Sequence, residues 1–231
     1  MKTIGLIGGM SWESTKLYYE LINQKVKEEL GGHHSAKCIL YSVDFEEVKE
    51  LQFAGKWGEA TEMLVEVAVK LQKAGADFIV LCTNTMHISA DAIQQNIDIP
   101  FLHIADATAY KIKADSRAAI GLLGTNFTME EDFYKGGLSS KHGIKVIIPE
   151  EEDRKDVHRI IYEELCLGEV KEASKEIFKG IIRRLIEQGA EGIILGCTEI
   201  TLLIKPGDVD IPLYDTTKIH AVYAVEQALK D

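Results

Sequence analysis

Apolar residues along the chain fall into two alternating patterns. Short runs rich in β-branched residues occur at 3–7, 38–43, 78–81, 119–123, 145–148 and 193–195. Between them, apolar residues recur at helical spacing. Tyr18, Ile22, Val26 and Leu30 repeat every four residues before Gly31-Gly32. Leu64, Ala68 and Leu71 precede Gly75, and Ile177, Ile181, Leu185 and Ile186 precede Gly189. Glycine just past a periodic stretch is a helix C-terminal signal, because it takes a left-handed conformation without a Cβ clash. Strands apolar on both faces, alternating with helices, predict a parallel α/β sheet covered on both sides. The order of the strands is not readable from this pattern.

The runs also repeat. Ile4-Gly5-Leu6-Ile7-Gly8 returns as Ile120-Gly121-Leu122-Leu123-Gly124, an offset of 116 residues. The segment from Gly75 to Leu81 returns from Gly189 to Leu195 at an offset of 114, and Ile99-Pro100 returns as Ile211-Pro212 at 112. Three matches in the same order, with offsets this close, predict duplication of one α/β unit. The fold class expected is therefore two pseudo-symmetric, doubly wound α/β domains. Ligands in open α/β sheets bind beyond the C-terminal strand ends. The active site is accordingly expected in a cleft where the two sets of strand ends face each other.

Composition removes several function classes. The 231 residues carry 26 basic and 37 acidic side chains, a net charge of −11. Such a chain repels phosphate backbones, so nucleic acid is not an expected partner. No apolar run approaches the roughly 18 residues of a membrane span, and no membrane partner is expected. The N-terminus is too short in apolar residues and too rich in glycine for a signal peptide. Cys38, Cys82, Cys166 and Cys197 show no CxxC or zinc spacing, so no metal site is predicted and free thiols in the cytoplasm are expected. A dinucleotide site would need GxGxxG, which the first turn lacks, and no P-loop is present.

The residues after each repeated strand carry the candidate chemistry. At the offset of 114, Cys197 matches Thr83, while Cys82 matches Gly196. Neighbouring residues at a strand end point to opposite faces, so Cys82 is expected to be a buried core thiol if Thr83 and Cys197 face the cleft. His33-His34 read as an exposed loop, and His87 and His103 read as structural hydrogen-bonders. The stretch 150–159 reads as a solvated, charged helix.

These segments resemble the aspartate/glutamate racemase family, most closely its enterobacterial amino-acid racemases. The resemblance rests on Gly5-Leu6-Ile7-Gly8-Gly9-Met10, Thr83-Asn84-Thr85-Met86-His87, Gly121-Leu122-Leu123-Gly124-Thr125 and Gly196-Cys197-Thr198-Glu199. It implies a cofactor-independent, PLP-independent enzyme in which two thiols flank the substrate Cα as base and acid. It implies Cys197 and Thr83 as catalytic positions, and Met10, Gln52, Asn84, Thr85, Thr125 and Thr198 as substrate-binding residues. Glu199 is read as a substrate ligand or as a group that orients or deprotonates Cys197; a capping carboxylate at a helix start is the plainer alternative. For each hydroxyl or amide, helix N-capping is the competing role. The family further implies a homodimer and a discontinuous first domain, 1–104 plus 215–231, with 105–214 as the second.

Racemisation removes a proton from one face of Cα and returns one to the other, which two opposed acid/base groups accomplish. This sequence departs from the family at the first thiol, where Thr83 stands. A threonine hydroxyl is roughly as weak an acid as water, lying about 7 units above a thiol and so about 10 kcal/mol harder to ionise. An asymmetric, L-biased enzyme is expected, with Cys197 addressing the L-enantiomer. The stretch 44–49 lacks the arginine that clamps a side-chain carboxylate in some members, and Cys166 stands where some carry lysine. Aspartate/glutamate specificity and a broader amino-acid range both stay open. A single-thiol decarboxylase or isomerase, and a binding or regulatory protein, are the alternatives from other classes.

Overall fold

The computed structural model describes residues 1–230. Residues Met1–Ile104, with the chain from His220 onward, form one compact unit, and Ala105–Ile219 form another. The first unit runs β1 (Ile4–Gly8), α1 (Trp12–Leu30), β2 (Cys38–Ser42), α2 (Phe45–Phe53), α3 (Trp57–Lys73), β3 (Phe78–Leu81), a 3-10 turn (Thr85–Ser89), α4 (Ala90–Gln95) and β4 (Phe101–Leu102). The chain continues through α5 (Ile104–Ala114), β5 (Ala119–Leu123), α6 (Asn126–Glu130), α7 (Asp132–Gly136), β6 (Lys145–Ile147), α8 (Glu151–Glu163), a 3-10 turn (Leu165–Leu167), α9 (Glu172–Glu187), β7 (Ile193–Leu195), α10 (Ile200–Leu203) and β8 (Leu213–Asp215). The last helix, α11 (Thr216–Leu229), packs Ala221, Ala224, Val225 and Ala228 into the core of the first unit.

Each unit holds a four-stranded, all-parallel sheet, ordered β2-β1-β3-β4 in the first and β6-β5-β7-β8 in the second. The two orders are the same once β1 is matched to β5. Register carries the match to single residues. Gly5 pairs with Ile79 as Gly121 pairs with Ile193, and Ile79 pairs with Phe101 as Ile193 pairs with Leu213. These pairs reproduce the offsets of 116, 114 and 112.

Helix boundaries follow local chemistry. Ser11 caps α1 by accepting from the Ser14 N–H at 3.3 Å, and Gly31 (φ 69°) ends it. Asp44 caps α2 through the Glu46 N–H at 3.0 Å. Gly75 and Gly189 take matching φ values of 95° and 96° after α3 and α9. The buried stripe of α3 is Ala60, Leu64, Val67, Ala68 and Leu71. In α9 it is Phe178, Ile181, Ile182 and Leu185; Ile186, like Leu30 of α1, sits exposed in the final turn. The first sheet is covered on one face by a cluster including Ile7, Leu64, Leu71, Ile79 and Leu81. On the other face lie Leu6, Tyr18, Ile22, Val80 and the α11 residues.

Two sequence expectations need correction. Continuous burial holds for β1, β3 and β7, but β2 is an edge strand that leaves Leu40 and Tyr41 exposed. An edge strand has a partner on one side only, so less of it is covered. The 150–159 stretch is helical but amphipathic: α8 buries Val157, Ile160 and Ile161 beneath its charged face.

Candidate active site

The turns that follow the repeated strands position every candidate side chain. In the first unit, Cys82 N–H donates to the Ile7 carbonyl at 2.9 Å; in the second, Gly196 N–H donates to the Leu123 carbonyl at 2.6 Å. These are the same bond at the same two repeat positions. They make Cys82 the counterpart of Gly196, and Thr83 the counterpart of Cys197. Next along the chain, His87 N–H donates to the Asn84 carbonyl and Thr201 N–H to the Thr198 carbonyl, again at matching positions.

In the first unit, Cys82 is buried in the α1/α11 side of the core, and burial pushes its thiol far up. It is a core thiol, as its place in the repeat implied. Thr83 is half-buried and opens the turn that runs through buried Asn84 and half-buried Thr85. Asn84 precedes the 3-10 turn at its N-cap position. Met10 lies in the same apolar cluster as Met86, and Gln52 on α2 donates its amide Nε2–H to the Met86 Sδ at 3.1 Å. Gln52 thus meets the residue beside Thr85, and Met10 shares that residue's apolar cluster. The turn after β1 depends on Gly9 (φ 102°), where a Cβ would stand 2.1 Å from the Val43 carbonyl oxygen.

In the second unit, Cys197 is half-buried and its Sγ–H donates to Glu199 Oε2 at 2.9 Å. Burial, then the Glu199 carboxylate, hold the thiol well above its ordinary value. The resting group is therefore a neutral thiol hydrogen-bonded to the Glu199 carboxylate. Thr198 Oγ1 lies 3.0 Å from Thr217 Oγ1, and Thr201 Oγ1 donates to the Thr198 carbonyl at 2.7 Å. Thr125 is buried and caps α6, accepting from the Thr128 N–H at 3.4 Å. The candidates fall into two sets: Met10, Gln52, Thr83, Asn84 and Thr85 in the first unit, and Thr125, Cys197, Thr198 and Glu199 in the second.

Two further side chains border the second set. His158 Nδ1 accepts from the Asn126 N–H at 3.2 Å, just past Thr125. Tyr162 stacks on His158 with ring centroids 4.7 Å apart. Burial first, and then Cys197, Cys166 and Glu199, push the Tyr162 phenol up to about 12. The sequence hid both residues at helical spacing inside and beside a charge run. Among the described residues, no group of three or more His, Cys, Asp or Glu is placed to hold a metal ion. None of their helices is long and apolar enough to cross a membrane.

Comparison with known proteins bears on this chemistry. The profile of the family described as Asp/Glu/Hydantoin racemase matches residues 7–224. A crystal structure from Yersinia pestis, of a protein provisionally called an Asp/Glu racemase, is 56% identical with a TM-score of 0.96, covering 100% of both chains. An aspartate racemase homologue from Pyrococcus horikoshii is 36% identical with a TM-score of 0.86, also over 100% of both chains. The broad specificity amino-acid racemase RacX of Bacillus subtilis is 25% identical over 93% of this chain and 92% of its own.

Proposed function

The chain belongs to the Asp/Glu/hydantoin racemase family, and from that membership we propose that it racemises a small amino acid of the aspartate/glutamate type, with Cys197 as the base toward the L-enantiomer and Thr83 on the opposite face. The observation that carries this reading is the equivalence of Thr83 and Cys197 in the two copies of the repeat, supported by the paired bonds of Cys82 to Ile7 and Gly196 to Leu123. A duplicated fold offers one such group from each copy, and α-proton inversion needs two.

The proposed steps balance as follows. Cys197 gives its thiol proton to Glu199 across the 2.9 Å bond. The thiolate then takes the α-proton, and the electron pair left on Cα delocalises into the substrate carboxylate. Asn84 and Thr85 donate to that carboxylate as its charge grows. A proton returns to the other face from the Thr83 hydroxyl or a water it holds, and solvent restores Thr83 while Glu199 releases its proton. Because Thr83 is a poor base, the reverse path from the D-enantiomer is slow at its first step. Racemisation has an equilibrium constant of one, so kcat/KM is equal in both directions. The bias therefore appears in kcat and KM separately, and as α-proton exchange without inversion.

A broader substrate range is the second reading. The lysine in the 44–49 stretch, Lys49, pairs with Glu46 at 2.8 Å, and that stretch holds no arginine to clamp a side-chain carboxylate.

Incubation with L-aspartate in heavy water tests the proposal. The α-proton should wash out much faster than D-aspartate appears. Cys197→Ser should lower exchange by about 10²–10⁴-fold, the range for a positioned acid/base group, while Cys82→Ala leaves it nearly intact. Loss of exchange in Cys82→Ala with an active Cys197→Ser reverses the assignment. Turnover of an arylmalonate or maleate in place of L-aspartate overturns the reaction class.

A further inference from the structure

Behind the turn after β3 lies a cluster of three histidines that the proposed reaction does not use. His87 is buried and lies between two backbone groups of its own unit. Its Nδ1 is 2.7 Å from the Thr83 carbonyl oxygen, and its Nε2 is 3.2 Å from the Ile104 nitrogen. A carbonyl only accepts and an N–H only donates. Nδ1 must therefore carry the proton and Nε2 must be bare. His220, also buried, is fixed in the opposite sense: Nε2–H donates to the Leu102 carbonyl at 2.8 Å, and Nδ1 accepts from the Tyr18 hydroxyl at 2.9 Å.

We propose that His87 is a positioning residue: the Ile104 N–H fixes it as the Nδ1–H tautomer, and its Nδ1–H bond to the Thr83 carbonyl holds the Thr83-Asn84-Thr85 turn in the geometry that returns a proton to Cα. The surroundings enforce this state. The groups that face the imidazole are His103, at a ring distance of 4.7 Å, His220 at 5.7 Å, and the Phe101 ring at 5.5 Å. Burial first, then His103 and His220, hold His87 well below the ordinary imidazole value, against a smaller opposing pull from the Thr83 and Asn84 backbone. Protonation would set a second N–H against the Ile104 N–H. The second unit has no such device. The counterpart of His87 is Thr201, whose short hydroxyl reaches only the Thr198 carbonyl.

Two substitutions separate the two bonds. His87→Asn places an amide N–H where Nδ1 was and keeps the Thr83 bond. His87→Gln reaches the Nε2 position, keeps the Ile104 bond and loses the Thr83 bond. The role rests on the racemase reading for its kinetic readout, which is the ratio of D-aspartate formed to α-proton exchanged from L-aspartate. That ratio should fall about tenfold or more in His87→Gln, the range of a displaced acid/base group, and stay within about threefold of wild type in His87→Asn. Equal loss of both rates in both variants, which is what plain destabilisation gives, overturns the proposal. Imidazole nitrogen shifts in the unsubstituted protein give an independent test. They should report Nδ1–H at His87 and titration well below the ordinary imidazole value; the other tautomer, or titration at that ordinary value, refutes the role. If the wild type exchanges no α-proton at all, the racemase reading fails. The His87 role is then judged by amide hydrogen exchange of residues 83–86, which should quicken in His87→Gln and not in His87→Asn.

Discussion

After β3 the chain reads Thr83-Asn84-Thr85-Met86-His87; after β7 it reads Cys197-Thr198-Glu199-Ile200-Thr201. The two turns hang from the same backbone bond to the neighbouring strand and close with the same main-chain contact three residues on. Their side chains diverge at each of the five positions. The second turn concentrates ionisable chemistry, a thiol 2.9 Å from a carboxylate with a phenol among its charged neighbours. The first carries hydroxyls and an amide backed by a neutral imidazole. The backbone of the repeat is kept while its side chains differ, so the two copies offer different chemistry at matched positions.

Placing a thiol at position 83 is the strongest test of that contrast. Thr83→Cys replaces a hydroxyl, about as weak an acid as water, by a thiol of ordinary value near 8.5. Racemisation should rise by on the order of 10²-fold, with the gain in exchange of D-aspartate exceeding that for L-aspartate. Unchanged D-exchange would show that the position does not reach substrate. Glu199→Gln weakens the other turn. The carboxylate raises the Cys197 thiol, so its removal brings the thiol down while taking away the proton acceptor. Exchange at neutral pH should drop about tenfold or more, and the pH at which the thiol titrates, followed by alkylation rate, should fall. A rise in that pH would mean Glu199 does not act on Cys197.

Much of this contrast could be read from the chain. Strands β1, β3, β5 and β7 are central and apolar, so their residues declare them, and the shared glycines made the repeat visible. Strands β4 and β8 have two and three residues; no periodicity can appear in so few, although the Ile-Pro pair before each one marked the place. Strand order depends on which crossovers pack, information that no single run contains. The pairing of Cys197 with Glu199 was suggested by adjacency alone. The hold of His87 on Thr83 was not, because a Thr-to-His spacing of four does not say which ring nitrogen meets which backbone group. His158 and Tyr162 were masked by the charges around them.

The buried histidine cluster gives the first unit a marked acid sensitivity. Burial pushes the His220 imidazole down to about 3, against about 6.5 in an unfolded chain. Below pH 6.5 the unfolded chain binds the proton and the folded one does not. Stability is then fully present above about pH 6.5 and is lost as pH falls toward 3, at about 1.4 kcal/mol per pH unit for this one group. His220→Gln keeps a donor for the Leu102 carbonyl and removes the titrating ring. Urea denaturation across this range should show the slope lowered by one proton. An unaltered slope would place the acid sensitivity elsewhere.

The smallest effect separates the two sheets at their matched glycines. Gly5 and Gly121 occupy the same register position in β1 and β5. A Cβ on Gly5 would stand 2.8 Å from the Ala76 Cβ, 2.8 Å from the Ile79 Cδ1 and 3.2 Å from the Phe78 carbonyl oxygen. On Gly121 it would meet the Ile193 Cδ1 at 2.6 Å and the Leu185 Cδ1 at 3.1 Å. The first set includes an atom with no rotatable bond and a backbone oxygen; in the second the two tight contacts are side-chain tips that can turn aside, and the Leu185 Cβ stands at an ordinary 3.4 Å. Overpacking costs about 1–3 kcal/mol, and the loss of glycine's unfolded freedom returns about 0.4–1 kcal/mol. Gly5→Ala should therefore fall near the top of that range and Gly121→Ala near the bottom, a gap of about 2 kcal/mol in urea denaturation. Equal costs would show that Ala76 yields as readily as a leucine tip, and that the two copies of the strand are packed alike.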